Sequence, residues 1–257
     1  SKENLKSYTK DRRAYEYWSD GNIHAANQFM GSSFFDGTSA DHIGPISLGF
    51  VHDPRYLQPM PGGDNSSKRD RLQIVDIESI IETEKRTGVY PMSWQSKLIW
   101  EFIKANYSSN PDKVPTVYRD ALKQHMANFM FVLRTILETC PNKGEDFLVS
   151  TLLAPNYDYF KYFYKFNEKG EIIDTTERHY TVRNQFETDR YRRIAIESVY
   201  DYSEKDNRNN RHDLNSIEMT TLKFICSSIE SGTSLTQNKQ LFINLVEKIE
   251  KRIIRSL

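Results

Sequence analysis

Two short stretches decide how this sequence is expected to fold: Ser39-Ala40-Asp41-His42-Ile43-Gly44-Pro45-Ile46-Ser47 and, further along, Asn65-Ser66-Ser67-Lys68. The first is an acid-His pair that closes a short apolar run and is followed by Pro and Ser. The second opens a predicted helix. Together they predict a strand, a returning strand, a loop and a helix that bring one carboxylate, one imidazole and one amide to the same place.

The segments between and after these stretches follow from residue patterns. Residues 34–38 are predicted to form a short strand that enters a turn, and residues 46–51 the strand that returns. Prolines and glycines make residues 52–64 a loop, because neither a helix nor the interior of a sheet tolerates them. Asp64 or Asn65 is expected to cap the helix that follows. Its buried stripe is predicted to consist of Leu72, Val75, Ile77, Ile80 and Ile81, and its end to lie at Gly88.

The remainder of the chain is predicted to be mainly helical. Apolar residues recur at helical spacing over residues 10–31, 94–107, 115–139, 187–201, 216–229 and 237–254. Clustered aromatic residues and the turn Asn167-Glu168-Lys169-Gly170 predict a β-hairpin near 157–183. Residues 205–211 are polar and are predicted to form a mobile loop. The predicted fold class is α+β, with a small strand-strand-helix unit in residues 1–90 and a mainly helical domain in residues 91–257.

Composition narrows the classes of protein to which the chain can belong. Its 257 residues are 38% hydrophobic, which is enough for a substantial core. Lys plus Arg and Asp plus Glu both number 35, so any nucleic-acid contact must use local clusters of basic residues. No apolar run approaches the roughly 20 residues of a membrane span, and the first residues lack a signal-peptide core, so a cytoplasmic location is expected. Cys140 and Cys226 are expected to be buried thiols.

The two opening stretches contain the groups that phosphodiester hydrolysis requires. His42 has an imidazole whose ordinary pKa, near ~6.5, allows it to act as a general base at neutral pH. Asp41 and Asn65 offer a carboxylate and an amide oxygen, which are hard ligands suited to one Mg²⁺ ion that keeps several waters. Neighbouring residues of a strand point to opposite faces, so Asp41 and His42 can share a site only if the strand ends in a bend. The Gly44-Pro45 pair favours that bend.

Two basic clusters are candidates for DNA contact. Lys68, Arg69 and Arg71 follow Asn65 at a helix start, where free N–H groups favour a phosphate. The second cluster, over residues 178–193, contributes the candidates Arg190, Arg192 and Arg193. The alternative interpretations are a helix cap at Asn65, a turn pair at Asp41 and His42, and solvated helix faces at both clusters. The order and spacing of all the groups together favour a catalytic site.

The quoted residues also carry a resemblance to a known family. Residues 41–50 together with 65–71 resemble the nuclease core of the BsaI and BsmBI group of Type IIS restriction endonucleases, which belong to the HNH, or ββα-metal, nucleases. They are similar, more distantly, to the phage Holliday-junction resolvase endonuclease VII. The resemblance implies Mg²⁺-dependent cleavage of both strands of double-stranded DNA outside a short asymmetric site, leaving 5′-phosphate ends. By position it makes Asp41 and Asn65 metal ligands and His42 the base. Cleavage of two strands implies a homodimer on DNA or two successive nicks.

This sequence departs from the family pattern in two respects. No Asn lies between Phe50 and Asp64 to orient His42, so His52, Arg55, Gln58 or the backbone is expected to do so. No Cys₄ zinc knuckle is present. Members of the group are longer chains with the motif in their interior, and one interpretation is that this sequence is the C-terminal half of such an enzyme. Two other functions remain open: an HNH nuclease for branched or non-specific DNA, and a non-catalytic DNA- or protein-binding module.

Overall fold

The computed structural model describes residues 14–178, 181–203 and 211–257. The fold is α+β and mainly helical, and these residues contain two small antiparallel sheets of two strands each. In chain order the elements are α1 (Ile23–Met30), β1 (Ser39–His42), β2 (Leu57–Met60), α2 (Gly62–Lys68), α3 (Ile74–Thr87), α4 (Lys97–Asn106), α5 (Arg119–Thr139), α6 (Gly144–Leu148), β3 (Tyr162–Phe166), β4 (Ile172–Glu177), α7 (Thr181–Ser203), α8 (Ser216–Ser231) and α9 (Leu235–Ile254).

The first sheet lies where the motif predicts one, but its strands are not the predicted segments. β1 pairs antiparallel with β2, so that Asp41 is opposite Gln58 and His42 is opposite Leu57. The predicted returning strand at 46–51 is wrong, because Ile46–Leu48 form a 3₁₀ turn. The returning strand is β2, inside the segment predicted to be a loop. Its Pro59 is tolerated because both strands of a two-stranded sheet are edge strands, where one side of the backbone needs no ladder bonds.

The strand predicted at 34–38 is also wrong. Ser33–Phe35 form a 3₁₀ turn, and Gly37 adopts a φ of 78° that leads the chain into β1. The reason is aromatic packing. Phe34 stacks on Phe29 of α1 at 5.4 Å between ring centroids, and the ring of Phe35 meets the same residue edge-on at 5.0 Å. A turn, unlike a strand, lets two consecutive side chains reach one neighbour.

Two helices, α2 and α3, replace the single helix that was predicted after the loop. The chain breaks between them at Arg69, whose φ is 50°. Pro61 occupies the N-cap position of α2, and Gln73 caps α3 in a reciprocal capping box with Asp76. The predicted cap at Asp64 or Asn65 is therefore wrong. Because the break resets the helical phase, the predicted stripe holds at Leu72, Ile77 and Ile80, which are buried, but fails at Val75, which is 61% exposed. The helix ends at Gly88 as predicted.

The predicted helices farther along the chain are confirmed. α5 is central and contacts α6, α7 and α9. Every apolar position predicted to face the core from this helix and its first turn is buried, namely Tyr118, Ala121, Leu122, His125, Met126, Phe129, Leu133 and Leu137. His125 donates from Nε2 to the Gln95 carbonyl at 2.5 Å, and burial lowers the pKa of its imidazole to about 4. It is a neutral core residue.

One hydrophobic cluster extends from Ala14 to Ile253 and includes residues on both sides of position 90. The division into domains at that position stays a prediction. Both cysteines are buried and free, as expected. Among the helices that the structure describes, none has the length and apolar character that crossing a membrane requires. Residues 10–13 and 205–210, predicted to be helix and mobile loop, lie outside the described residues.

The second sheet is the predicted hairpin, formed by β3 and β4. Its turn contains Gly170 at a φ of 71°, where a side chain would collide with the carbonyl of Pro54. Gln28 of α1 donates to the Tyr162 carbonyl at 3.1 Å and accepts from the Tyr164 N–H at 3.0 Å. The hairpin is thereby fastened to α1 and to the loop that follows β1.

Candidate active site

The Asp41 carboxylate lies at the end of β1 and is almost buried, with 6% of the residue exposed. Cross-strand pairing sets Gln58 opposite Asp41, and the Gln58 Nε2 group donates to Asp41 Oδ2 at 2.9 Å. The position of the carboxylate is thus set by the register of the two strands. This contact was not foreseen from the sequence, where Gln58 was a candidate for orienting His42.

The ammonium group of Lys68 lies among four oxygens near the end of β1. Its Nζ is 2.7 Å from Asp41 Oδ2, 2.9 Å from the His42 carbonyl, 3.0 Å from the Ile43 carbonyl and 3.4 Å from Asp76 Oδ1. A lysine ammonium has three donors and a compact charge, so it can bind several oxygens at once. Lys68 therefore fixes the backbone just after Asp41 and balances the negative charges of the Asp41 and Asp76 carboxylates. Only 11% of its side chain is exposed.

Asn65 reaches the same place from α2. It is the fourth residue of that helix, and its Nδ2 donates to the Ala40 carbonyl at 3.2 Å. Residues three apart on a helix share a face, so Asn65 and Lys68 both point at the end of β1. The structure thus brings Asn65 and Lys68 of α2 to the end of β1 that carries Asp41.

The imidazole of His42 contacts a second imidazole. His42 Nε2 is 2.7 Å from His52 Nδ1, and the two ring centroids are 5.0 Å apart. On its other side, His52 Nε2 is 3.1 Å from Asn27 Oδ1 of α1. Of the three side chains expected to orient His42, only His52 is shown touching it, since Gln58 binds Asp41 and Arg55 binds Asp53.

The loop that carries His52 is held rigidly on several sides. The His52 N–H donates to the Asp20 carbonyl at 3.2 Å, and Gly21, with a φ of 100°, allows this close approach because a Cβ there would lie 2.9 Å from the His52 carbonyl oxygen. Burial raises the pKa of the Asp20 carboxyl, and the N–H of Trp94, which donates to it, partly offsets that rise. Asp53 is fully buried and accepts both from Arg55 and from the Asn22 N–H.

The donors around β1 are chemically suited to Mg²⁺. Asn65 uses its nitrogen on Ala40, which leaves the amide oxygen as the atom available to a cation. Gln58 and Lys68 both bind Oδ2 of Asp41, and the carboxylate has a second oxygen. One carboxylate and one amide suffice for an ion that keeps its waters. Within the described residues, no group of three or more His, Cys, Asp and Glu could hold a metal.

A polar cleft of about 390 Å³ opens the Asn65 side of the site to solvent. It is lined by residues 30–32, 35–36 and 38–40 together with Asn65. The cleft therefore runs along β1 towards the position of Asp41 and Asn65. Arg69 and Arg71 lie just beyond α2 with exposed side chains.

The second basic cluster is balanced by acidic neighbours. Arg192 binds Glu145 at 2.8 Å and Asp146 at 2.9 Å. Arg193 lies 4.0 Å from Glu197, and Arg190 is exposed. These neighbours favour the interpretation of a solvated helix face, and contact of Arg190, Arg192 and Arg193 with DNA stays a prediction. Part of the cluster, residues 179–180, lies outside the described residues.

Two participants were not singled out from the sequence. Asn27 lies 25 residues before its partner His52, and Asp76 lies 35 residues after Asp41, with which it shares Lys68. Neither pair has a spacing typical of a motif. Only the fold reveals them, because the contacts join α1 to a loop and α3 to a strand.

Comparison with known proteins places the chain in a family. No curated protein and no solved structure matches the chain. Residues 1–251 match the family model described as "Type II restriction endonuclease (RE_Alw26IDE)". Since the match covers nearly the whole sequence, the chain belongs to this family of Type II restriction endonucleases.

Proposed function

We propose that this endonuclease hydrolyses phosphodiester bonds of double-stranded DNA with one Mg²⁺ ion and His42 as general base, at an HNH-type site and in the Type IIS manner. Membership of the family makes the chain a DNA-cleaving enzyme that binds double-stranded DNA, and Type II restriction endonucleases generally use Mg²⁺. The proposal of this site rests on one observation: the strand that carries Asp41 and His42 is bonded by Asn65 and Lys68 of the helix that follows, in the order strand, strand, helix.

Each residue has a separate role in the proposed reaction. His42 accepts a proton from the attacking water, a contribution of about 10²–10⁴-fold in rate for a positioned base. Asp41 and Asn65 would hold Mg²⁺, which when bound neutralises the phosphate and stabilises the leaving 3′ oxygen. Lys68 and Gln58 hold the Asp41 carboxylate in place. Arg69 and Arg71 are proposed to contact the DNA backbone.

The position of Asn65 argues against the simplest alternative. If residues 41–71 were only a turn followed by a capped helix, Asn65 would serve the N–H groups of its own helix. Pro61 occupies the cap position instead, and Asn65 donates to Ala40 in β1. An amide that joins a helix to the end of a strand, with its oxygen left to other partners, is better suited to holding a ligand there.

Cleavage of two strands requires more than one reaction event. A site with one metal and one base acts on one phosphodiester at a time. We propose that the chain either binds DNA as a homodimer or makes two successive nicks. If nicked circular DNA accumulates before linear DNA appears, the chain makes successive nicks. If linear DNA forms directly from supercoiled DNA, both strands are cut together, as expected of a dimer.

The test is digestion of supercoiled plasmid with Mg²⁺ and with EDTA, followed by sequencing of the ends. Metal-dependent 5′-phosphate ends at a fixed offset from one short asymmetric sequence are expected. Scattered ends, or cutting confined to a four-way junction, would support a nuclease of other specificity. Failure to cut any of these DNAs in Mg²⁺ would contradict the proposal and support a binding module.

A further inference from the structure

We propose that His52, held by Asn27, is the positioning residue that fixes the tautomer of His42 and so makes Nδ1 its basic nitrogen. The inference rests on the proposed function in that His42 is taken as the general base. It is carried by two hydrogen bonds in series, which join β1, the loop before β2, and α1.

The contact with Asn27 fixes the tautomer of His52. The oxygen Oδ1 of Asn27 can only accept a hydrogen bond, and it lies 3.1 Å from His52 Nε2. His52 Nε2 must therefore bear the hydrogen. In a neutral imidazole one nitrogen donates and the other accepts, so Nδ1 of His52 has a lone pair.

His52 in turn fixes the tautomer of His42. His52 Nδ1 is 2.7 Å from His42 Nε2, a distance that requires one donor and one acceptor. Since His52 Nδ1 accepts, His42 Nε2 must donate. The neutral His42 ring then carries its lone pair on Nδ1, which is the atom that takes the proton from water. The opposite tautomer would set two lone pairs against each other across the short contact.

The rigidity of the surroundings makes His52 suitable for this role. The residue is fully buried, and its backbone N–H donates to the Asp20 carbonyl. Asn27 is an exposed residue of α1, a helix that is anchored in the core by buried Ile23, Ala25, Ala26 and Phe29. A buried ring between a fixed loop and a packed helix loses little further freedom when it binds His42. A substitution at Asn27, which is exposed, should leave the core intact.

Two variants of Asn27 distinguish the effect of its hydrogen-bond acceptor from the effect of its side-chain size. Asn27→Leu keeps a similar size and removes the acceptor, whereas Asn27→Asp keeps an acceptor oxygen. Gln28→Met is the matched control, because it removes an amide from the same helix that contacts the hairpin and not His52. His52→Leu removes the central ring, but its complete burial makes folding a concern, so the Asn27 pair is decisive.

Long-range ¹H–¹⁵N correlation spectra of protein labelled at histidine nitrogens report the tautomers directly, without DNA or metal. At neutral pH we expect His42 and His52 to be protonated at Nε2 in the unchanged chain, in Asn27→Asp and in Gln28→Met. In Asn27→Leu we expect both tautomers at His52 and His42. Protonation of His42 at Nδ1 in the unchanged chain, or an unaltered pattern in Asn27→Leu, would overturn the proposal.

Cleavage kinetics test the catalytic consequence. Asn27→Leu should lower kcat by about 10–100-fold, by analogy with the loss seen when the outer partner of a metal-ligating His is removed, with KM unchanged. Asn27→Asp and Gln28→Met should retain most of kcat. An unchanged kcat in Asn27→Leu, despite mixed tautomers, would overturn the positioning role. Absence of cleavage by the unchanged chain would instead refute the proposed function, and the spectra would still decide whether His52 sets the tautomer.

Discussion

At the scale of single residues, Lys68 shows how one side chain can organise a site. Its ammonium is bound by the Asp41 and Asp76 carboxylates and by two backbone carbonyls at the end of β1. The sequence predicted a phosphate contact here, since Lys68 stands beside two arginines on a helix. The inward direction of the side chain depends on where β1 ends relative to α2, and no local pattern contains that information.

Lys68→Met should be clearly destabilising. The substitution leaves two carboxylates, almost buried, without their cation, and breaking such a pair costs about 3–5 kcal/mol when burial is complete. The Lys68 and Asp41 side chains are each about a tenth exposed, so the penalty is smaller than for complete burial. We expect the free energy of unfolding, measured by urea denaturation, to fall by about 2–3 kcal/mol. Lys123→Met is the control, since its pair with Asp70 is much more exposed than that of Lys68 and is worth about 1 kcal/mol or less. Equal small losses would show that Lys68 does not hold the site.

Arg69 has an unfavourable backbone conformation, with φ at 50° and ψ at −117°. Glycine adopts such angles without steric cost, whereas other residues lose about 1–3 kcal/mol. Arg69→Gly should therefore raise the free energy of unfolding by about 1 kcal/mol and, if Arg69 binds a phosphate, should weaken DNA binding. The same substitution at exposed Arg71, which has no positive φ, should not stabilise the chain. Destabilisation by Arg69→Gly in urea unfolding would contradict this account.

At the scale of elements, periodicity predicted the helices well and the first sheet poorly. In four helices the apolar residues recur at helical spacing along the buried face, so the local sequence was enough to predict α4, α5, α8 and α9. β2 contains a proline and could be recognised only from its pairing with β1. The break at Arg69 has no Gly or Pro to mark it. The hydrogen-bonded series from His42 to Asn27 likewise depends on the packing of α1 against the loop before β2.

Glu250 of α9 links two elements and should make stability depend on pH. Its Oε1 accepts from the Leu98 and Ile99 N–H groups at 3.0 and 3.3 Å, at the start of α4, and burial raises the pKa of the carboxyl to about 8. The unfolded chain loses this proton near the ordinary pKa of 4.5. Ionisation therefore favours unfolding, and stability should fall as pH rises from about 5 to 8, by on the order of 4 kcal/mol in total.

Glu250→Gln is the variant that tests this pH dependence. It keeps the acceptor oxygen but cannot ionise, so its stability should fall less than that of the unchanged chain over the same pH range. Urea unfolding at several pH values measures the difference. Parallel curves for the two chains would show that Glu250 is already ionised in the folded protein.

At the scale of the whole molecule, the site lies at the edge of a continuous core. One hydrophobic cluster includes residues from near both ends of the described chain, among them Ala14 and Ile253. α1 packs between the hairpin and the loop that carries His52, and it bonds to both. The groups proposed to be catalytic are thus positioned by the fold as a whole, although they were identified from two short stretches of sequence.

We propose that His42 is the base at a metal-dependent nuclease site. The most direct measurement compares the rate of Mg²⁺-dependent plasmid cleavage by the unchanged chain, His42→Ala and His24→Ala, with thermal unfolding and DNA binding in EDTA as controls. His24 lies on α1 beside the aromatic ring of Phe160 and has no role in the proposed site. We predict that His42→Ala loses about 10²–10⁴-fold in rate while it still folds and binds DNA, and that His24→Ala cleaves normally. Cleavage by His42→Ala at the rate of the unchanged chain would contradict the account.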